Sequence, residues 1–182
     1  MRKAFLTISV LFLFCTACNS NKETLMKEVE KADNTVYVND KQFITDAHNA
    51  VMMNVFLGRL AERNASSDIV KKLANSLTDD CCLSHAELKR IALSGKIPFT
   101  DDLSSKKQEQ YNAFAKVKGK AFDKAFMRYI LKEHHADLSF YEEEAIKGSI
   151  KDLKLWAESE AGITRHRLEV AQIAMDKFES PK

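Results

Sequence analysis

Residues that break or turn a chain are scarce here: 182 residues contain five glycines and two prolines. That scarcity argues against a fold built from many tight turns. Together with abundant Ala, Leu, Lys and Glu, it favours long helices. Charge of one sign is also lacking. Beyond Arg2 and Lys3 the chain holds 26 basic and 26 acidic residues, so no basic face is available to neutralise a run of phosphates, and nucleic acid is excluded as a partner. The lysines alternate with glutamates, as on solvated helix surfaces. No Gly-rich phosphate loop, Walker motif or Gly-x-Ser-x-Gly elbow occurs, and no two Cys-x-x-Cys motifs pair as a metal site would need. The sequence therefore assigns no catalytic residue and no reaction. No internal repeat stands out and no low-complexity tract is present.

The one long apolar run is N-terminal. Met1-Arg2-Lys3 precedes Ala4 to Phe14, and Cys15-Thr16-Ala17-Cys18-Asn19 follows. Two positive charges, an apolar core too short to span a bilayer, and small residues before a cysteine resemble the signal peptide and lipobox of a bacterial lipoprotein. Cys15 stands where such proteins usually have Leu. The resemblance implies a signal peptide over 1–17, cleavage before Cys18, and lipid on Cys18 that holds the protein at a membrane without spanning it. Asn19 lacks the aspartate that retains many lipoproteins in the inner membrane, which favours the outer over the inner membrane of the cell envelope.

Asn19 to Asn39 is polar with no sustained apolar face and reads as a lipidated tether over 18–39, leaving one helical bundle domain over 40–179. Phe43, Ala47, Ala50, Asn54, Leu57 and Ala61 recur at helical steps, and Asn54 interrupts that stripe. Asp68 is placed to cap a second helix carrying Leu73, Leu77, Asp80, Ser84, Leu88 and Ile91. A third region begins near Ser104 and is kinked or split at Gly119. Its second part aligns Phe122, Phe126, Ile130, His134, Leu138, Tyr141 and Ala145 up to Gly148. The last helix shows Leu153, Trp156, Glu160, Ile163, Val170 and Ile173, with His166 close to the same face. The expectation is an all-α fold, an antiparallel four-helix bundle. Phe122, Phe126, Tyr129, Tyr141, Trp156 and Phe178 are expected in its core, and His48 and His85 on its surface.

Several motifs fall in a familiar order: Asp40-x-x-Phe43, Gly58-x-Leu60-Ala61 with Asn64-Ala65-Ser66, Asp80 ahead of Glu87-Leu88, Phe122-Asp123-x-Ala125-Phe126-Met127, His134 with Glu142, and Trp156-Ala157 ahead of His166. In these the chain resembles the bacterial domain-of-unknown-function family numbered four-one-four-two. The resemblance covers Asp40 to Phe178 and implies an exported, ferritin-like helical bundle with no settled activity. Where the family usually has Glu, His and Pro, this chain has Asn54, Cys81 and a residue near Gly162 other than proline. The polar set implied for the bundle interior is Asn54, Asp80, Cys81, His134, Glu142 and His166.

A ferritin-like di-iron site needs Glu-x-x-His pairs, and no histidine here has Glu three residues before it. The reversed spacing occurs in His134-x-x-Asp137 and His166-x-x-Glu169, whose members share a helix face. With Asp80, Glu142 and Cys81 these histidines could ligate a single divalent metal ion; the plainer reading is hydrogen-bonded structural histidines. Cys81 and Cys82, about 100° apart on a helix, cannot pair with each other easily. They read as small core residues, or else as a redox thiol, an intermolecular bridge, or, for Cys81, a soft metal ligand. Two functions remain open: a noncatalytic envelope lipoprotein that binds an unidentified envelope partner, and a metal-binding or oxidative-stress protein.

Overall fold

The computed structural model describes the backbone of residues 17–180, and the side chains of Lys27 and of residues 39–180. The signal-peptide segment lies outside the described residues, and Cys18 is described only as backbone. Among the described residues there are five helices: α1 (Ala17–Asn64), α2 (Asp68–Ser94), α3 (Ser105–Ala115), α4 (Gly119–Lys147) and α5 (Lys151–Glu179). No strand occurs among the described residues. The third helical region is split, with Gly119 at φ 63° opening α4. The stretch 19–39, expected as a tether, is helical. Its sequence contains no glycine or proline to stop a helix. The chain divides into two units, Met1–Thr35 and Val36–Lys182, and the core lies in the second.

The four long helices bury their stripes as a helical bundle around two apolar clusters. One gathers Leu57 and Leu60 of α1, Val70 to Leu77 of α2, Phe122 to Ile130 of α4, and Ala171 to Met175 of α5. The other gathers Phe43 to Val51, Leu88 and Ile91, Tyr141, and Leu153 to Ala161 of the same four helices. The stripes expected on α1 and α4 are buried, although Ala50, Leu138 and Ala145 lie only partly inside. On α5 the expectation needs correction, because Val170 and Ile173 face out and the buried line passes instead through Thr164, Arg167, Ala171 and Ala174. Helical geometry, not hydrophobicity, chose that line: its steps of three and four continue the Trp156, Glu160 series.

Two buried aspartates tie the helices together. Asp123 of α4 accepts hydrogen bonds from Ser66 N (3.1 Å), Ser67 N (3.0 Å) and Ser66 Oγ (2.5 Å), the turn that opens α2. Asp40 of α1 accepts from Ile150 N (2.8 Å), Ser149 N and Ser149 Oγ, the turn that opens α5. Neither α2 nor α5 has a side-chain cap of its own. Asp68, expected as the cap of α2, is its first helical residue, and Ser67 occupies the cap position. The free N–H groups and positive end of each helix meet a carboxylate from a distant segment.

The arrangement is reciprocal, and it corrects the expectation that the chain holds no internal repeat. One fixed offset carries Asp40-Lys41-x-Phe43 onto Asp123-Lys124-x-Phe126, Ser66 onto Ser149, Ala74 onto Ala157, and the last residue of α1, Asn64, onto the last of α4, Lys147. The chain therefore consists of two equivalent helical hairpins, α1–α2 and α4–α5, and each supplies the aspartate that closes the other's turn.

The hairpins are joined by the crossover from Gly95 to Lys118, which contains α3. This segment corrects a second expectation. His48 is buried and His85 largely so, because Phe99 packs edge-on to His48 and against His85. The two imidazole centroids lie 5.2 Å apart, and His48 Nε2 sits 3.0 Å from Asp102 O. Burial, and then the neighbouring His48, lower the pKa of His85.

Removing either aspartate leaves two part-buried backbone N–H groups and a hydroxyl without their acceptor. Asp123→Ala and Asp40→Ala should each lose about 3 kcal/mol of unfolding free energy, measured by urea denaturation; a loss below about 1 kcal/mol would show that the ties are incidental.

Candidate functional site

Between the two apolar clusters the stripes turn polar on every long helix. Asn54 on α1, Cys81 and Ser84 on α2, His134 on α4, and Glu160, Thr164 and Arg167 on α5 are all buried there. The centre of this layer is charged. Glu160 and Arg167 are 3% and 6% exposed, and Arg167 Nη1 lies 3.4 Å from Glu160 Oε2. Ser84 Oγ donates to Glu160 Oε1 at 2.5 Å, and Trp156 Nε1 donates to Ser84 O at 3.2 Å. Asp80 approaches from the surface, its Oδ2 3.8 Å from Arg167 Nε.

Arginine does not give up its proton, so a buried guanidinium demands an anion beside it. Burial, the largest influence, raises the Glu160 pKa; the Ser84 hydrogen bond and Arg167 oppose it, and Asp80 adds to it. Arg167 Nη2 makes no hydrogen bond to protein. The layer opens to solvent through a groove of about 590 Å³ between α2 and α5, floored by Trp156, Ser84, Glu160 and Arg167 and rimmed by Asp80, Leu83, Glu87, Ile163 and His166.

The residues expected at the bundle interior separate into two groups. Asn54, Cys81 and His134 are inside, with Asp80 half-exposed at the edge. Glu142 and His166 are not. Glu142 points outward and accepts from Arg165 Nη2 at 2.8 Å. His166, 76% exposed, lies 3.9 Å from Glu169. Each sits one position off a buried stripe, beside Tyr141 and Arg167 respectively, and one residue is 100° of helix rotation. His134 and Asp137 do pair, at 3.5 Å between Nδ1 and Oδ2. The expected ligand set is thus dispersed, and among the described residues no three His, Cys, Asp or Glu side chains stand where they could hold a metal ion.

The cysteines also part company: Cys81 is buried and Cys82 exposed, which corrects the expectation that both belong to the core. Burial pushes the Cys81 thiol up to about 12; Arg167 counters this, Glu160 and Asp80 reinforce it, and a hydrogen bond with Asn54 again opposes it. A thiol held neutral is a poor nucleophile and a poor soft ligand. Ser84 Oγ donates its hydrogen bond to the Glu160 carboxylate.

Sequence reading found Glu160 but missed Arg167. The available signal was position: seven residues beyond Glu160 and four before Ala171, Arg167 falls on the stripe that Thr164 and Ala171 also occupy.

A protein-family model described as "Domain of unknown function (DUF4142)" matches residues 25–173. No curated protein and no solved structure matches the chain.

Two outcomes test this site. Glu160→Leu should cost about 3–5 kcal/mol by leaving a buried charge unpaired, whereas Glu160→Leu combined with Arg167→Met should recover most of it; equal losses in urea denaturation would deny the pairing. Iodoacetamide at pH 8 should modify Cys82 in the native protein and reach Cys81 only after denaturation, as read by peptide mapping.

Proposed function

The chain belongs to the DUF4142 family, and from that premise we propose that it is an exported lipoprotein of the bacterial envelope, anchored through lipid on Cys18, whose bundle works by binding and not by catalysis. The observation that carries the noncatalytic reading is the Glu160–Arg167 pair. In a helical bundle the interior facing all four helices is where a cofactor or metal would be built. Here a salt bridge and its hydrogen bonds take up that position, and the nearest thiol is neutral.

For the architecture we propose an antiparallel four-helix bundle of ferritin-like type with one long crossover. The alternation of the two apolar clusters along successive helices supports it, as do the reciprocal aspartate ties and the long segment between α2 and α4. The anchor reading rests on the charged, apolar and small-residue sequence that ends at Cys18. No helix among the described residues is long and apolar enough to cross a membrane, which fits attachment by lipid. The envelope partner it would bind is a protein or small molecule, not nucleic acid.

Metabolic labelling with an alkyne fatty acid, followed by membrane fractionation on a density gradient, tests the anchor. The wild-type chain should carry label and sediment with the outer membrane, and Cys18→Ser should lose the label and leave the membrane fraction. A Cys18→Ser chain still labelled and membrane-bound would overturn the reading.

A further inference from the structure

Beside the Asp40 tie, a pocket of about 290 Å³ opens between α1 and the last turns of α4. One wall is aromatic, with the rings of Phe43 and Phe140 stacked at 4.5 Å between centroids. The rest is acidic: Asp40, Asp46, Glu143 and Glu144 all line it. Three of these carboxylates are occupied. Asp40 caps α5, Asp46 accepts from Gln42 Nε2 at 3.1 Å, and Glu143 accepts from Lys147 Nζ at 2.8 Å.

Glu144 is different. It is 7% exposed, and its Oε1 is buried with no donor from the protein. A sealed carboxylate oxygen without a partner costs free energy and calls for an explanation.

The first hairpin supplies an internal comparison. The offset that relates the two halves puts Ala61 where Glu144 stands and Ala65 where Gly148 stands. That turn closes on Asp123 as well as its counterpart closes on Asp40, so a carboxylate in this position is not needed to make the turn. The second half instead makes room for one: a Cβ on Gly148 would come within 2.3 Å of Glu144 Oε1.

We propose that this pocket binds a primary ammonium group on an aliphatic stem, the charged head taken by the Glu144 carboxylate and the stem lying along Phe43 and Phe140. The volume suits a small ligand. An ammonium supplies positive charge to a carboxylate that has no donor from the protein at Oε1, and the aromatic wall favours an organic cation over a hydrated metal ion. The source is either a free aliphatic amine or the side chain of a lysine in an exported peptide. This inference concerns a different end of the molecule from the Glu160–Arg167 layer and does not depend on the lipid anchor.

Protons should compete with the ligand. Burial first and Asp40 second push the Glu144 carboxyl up to about 7, with Lys154 of α5 pulling it down and Glu143 adding to the rise. The other charged groups facing the pocket are Asp46 from α1 and Lys147 from α4. A cation that needs the ionised carboxylate binds better above the folded pKa and expels a proton where the group is still protonated.

Isothermal calorimetry on the full chain in detergent tests this with 1,4-diaminobutane, a doubly blocked lysine tripeptide and magnesium chloride, each at pH 6 and pH 8 and constant ionic strength. An amine should bind at pH 8 and about tenfold more weakly at pH 6. The stronger of the free amine and the peptide identifies the source, and either supports the proposal. Glu144→Gln should weaken binding at least tenfold and flatten the pH dependence while the melting temperature holds. Should that variant not fold, Phe140→Leu, which leaves the carboxylate in place, should still weaken amine binding. Absence of heat with both amines, magnesium binding as well as they do, or undiminished binding by a folded Glu144→Gln chain would each overturn it.

Discussion

The fold depends on two carboxylates that serve helices other than their own. A helix N-terminus leaves N–H groups without acceptors, and most helices solve this with a residue at the cap position. Here α2 and α5 have no such side-chain cap, and the acceptors come from Asp123 and Asp40, buried and far away in sequence. Each aspartate closes the turn of the opposite hairpin. The packing of one hairpin on the other and the integrity of each turn are therefore one requirement.

Within that frame the interior is not uniformly apolar. The Glu160–Arg167 pair lies between the two clusters, with Ser84 Oγ donating to Glu160 and Trp156 Nε1 donating to Ser84 O. A buried pair of this kind adds little net stability compared with well-packed apolar residues, and breaking it by half is expensive. Its counterparts in the first hairpin, Leu77 and Ser84, include no charge. The two halves share a skeleton and differ in chemistry, and the differences are Arg167 with Glu160 at mid-bundle and Glu144 at one end.

Much of the skeleton was legible in the sequence. The apolar stripes on α1 and α4, the break at Gly119 and the all-α class follow from periodicity and from the shortage of helix breakers. What stayed hidden has physical causes. On α5 the buried line is made of alanines, a threonine and an arginine, so a reading weighted by hydrophobicity chose Val170 and Ile173 instead. His48 is buried by Phe99, brought over it by a crossover whose path no local pattern encodes. The caps were misassigned because a turn can be read locally, whereas an acceptor from a residue more than fifty positions away cannot. The repeat of Asp-Lys-x-Phe was present in plain sight, but its meaning depends on the ties it makes.

The reciprocal ties also bear on how the chain reaches its native state. When α1 and α2 have been synthesised, the turn between them still lacks its acceptor, because Asp123 has yet to be added. The second hairpin arrives with its own turn waiting on Asp40. Neither turn gains its buried acceptor until the two hairpins meet across the crossover, so completing the ties requires contacts between residues far apart in sequence.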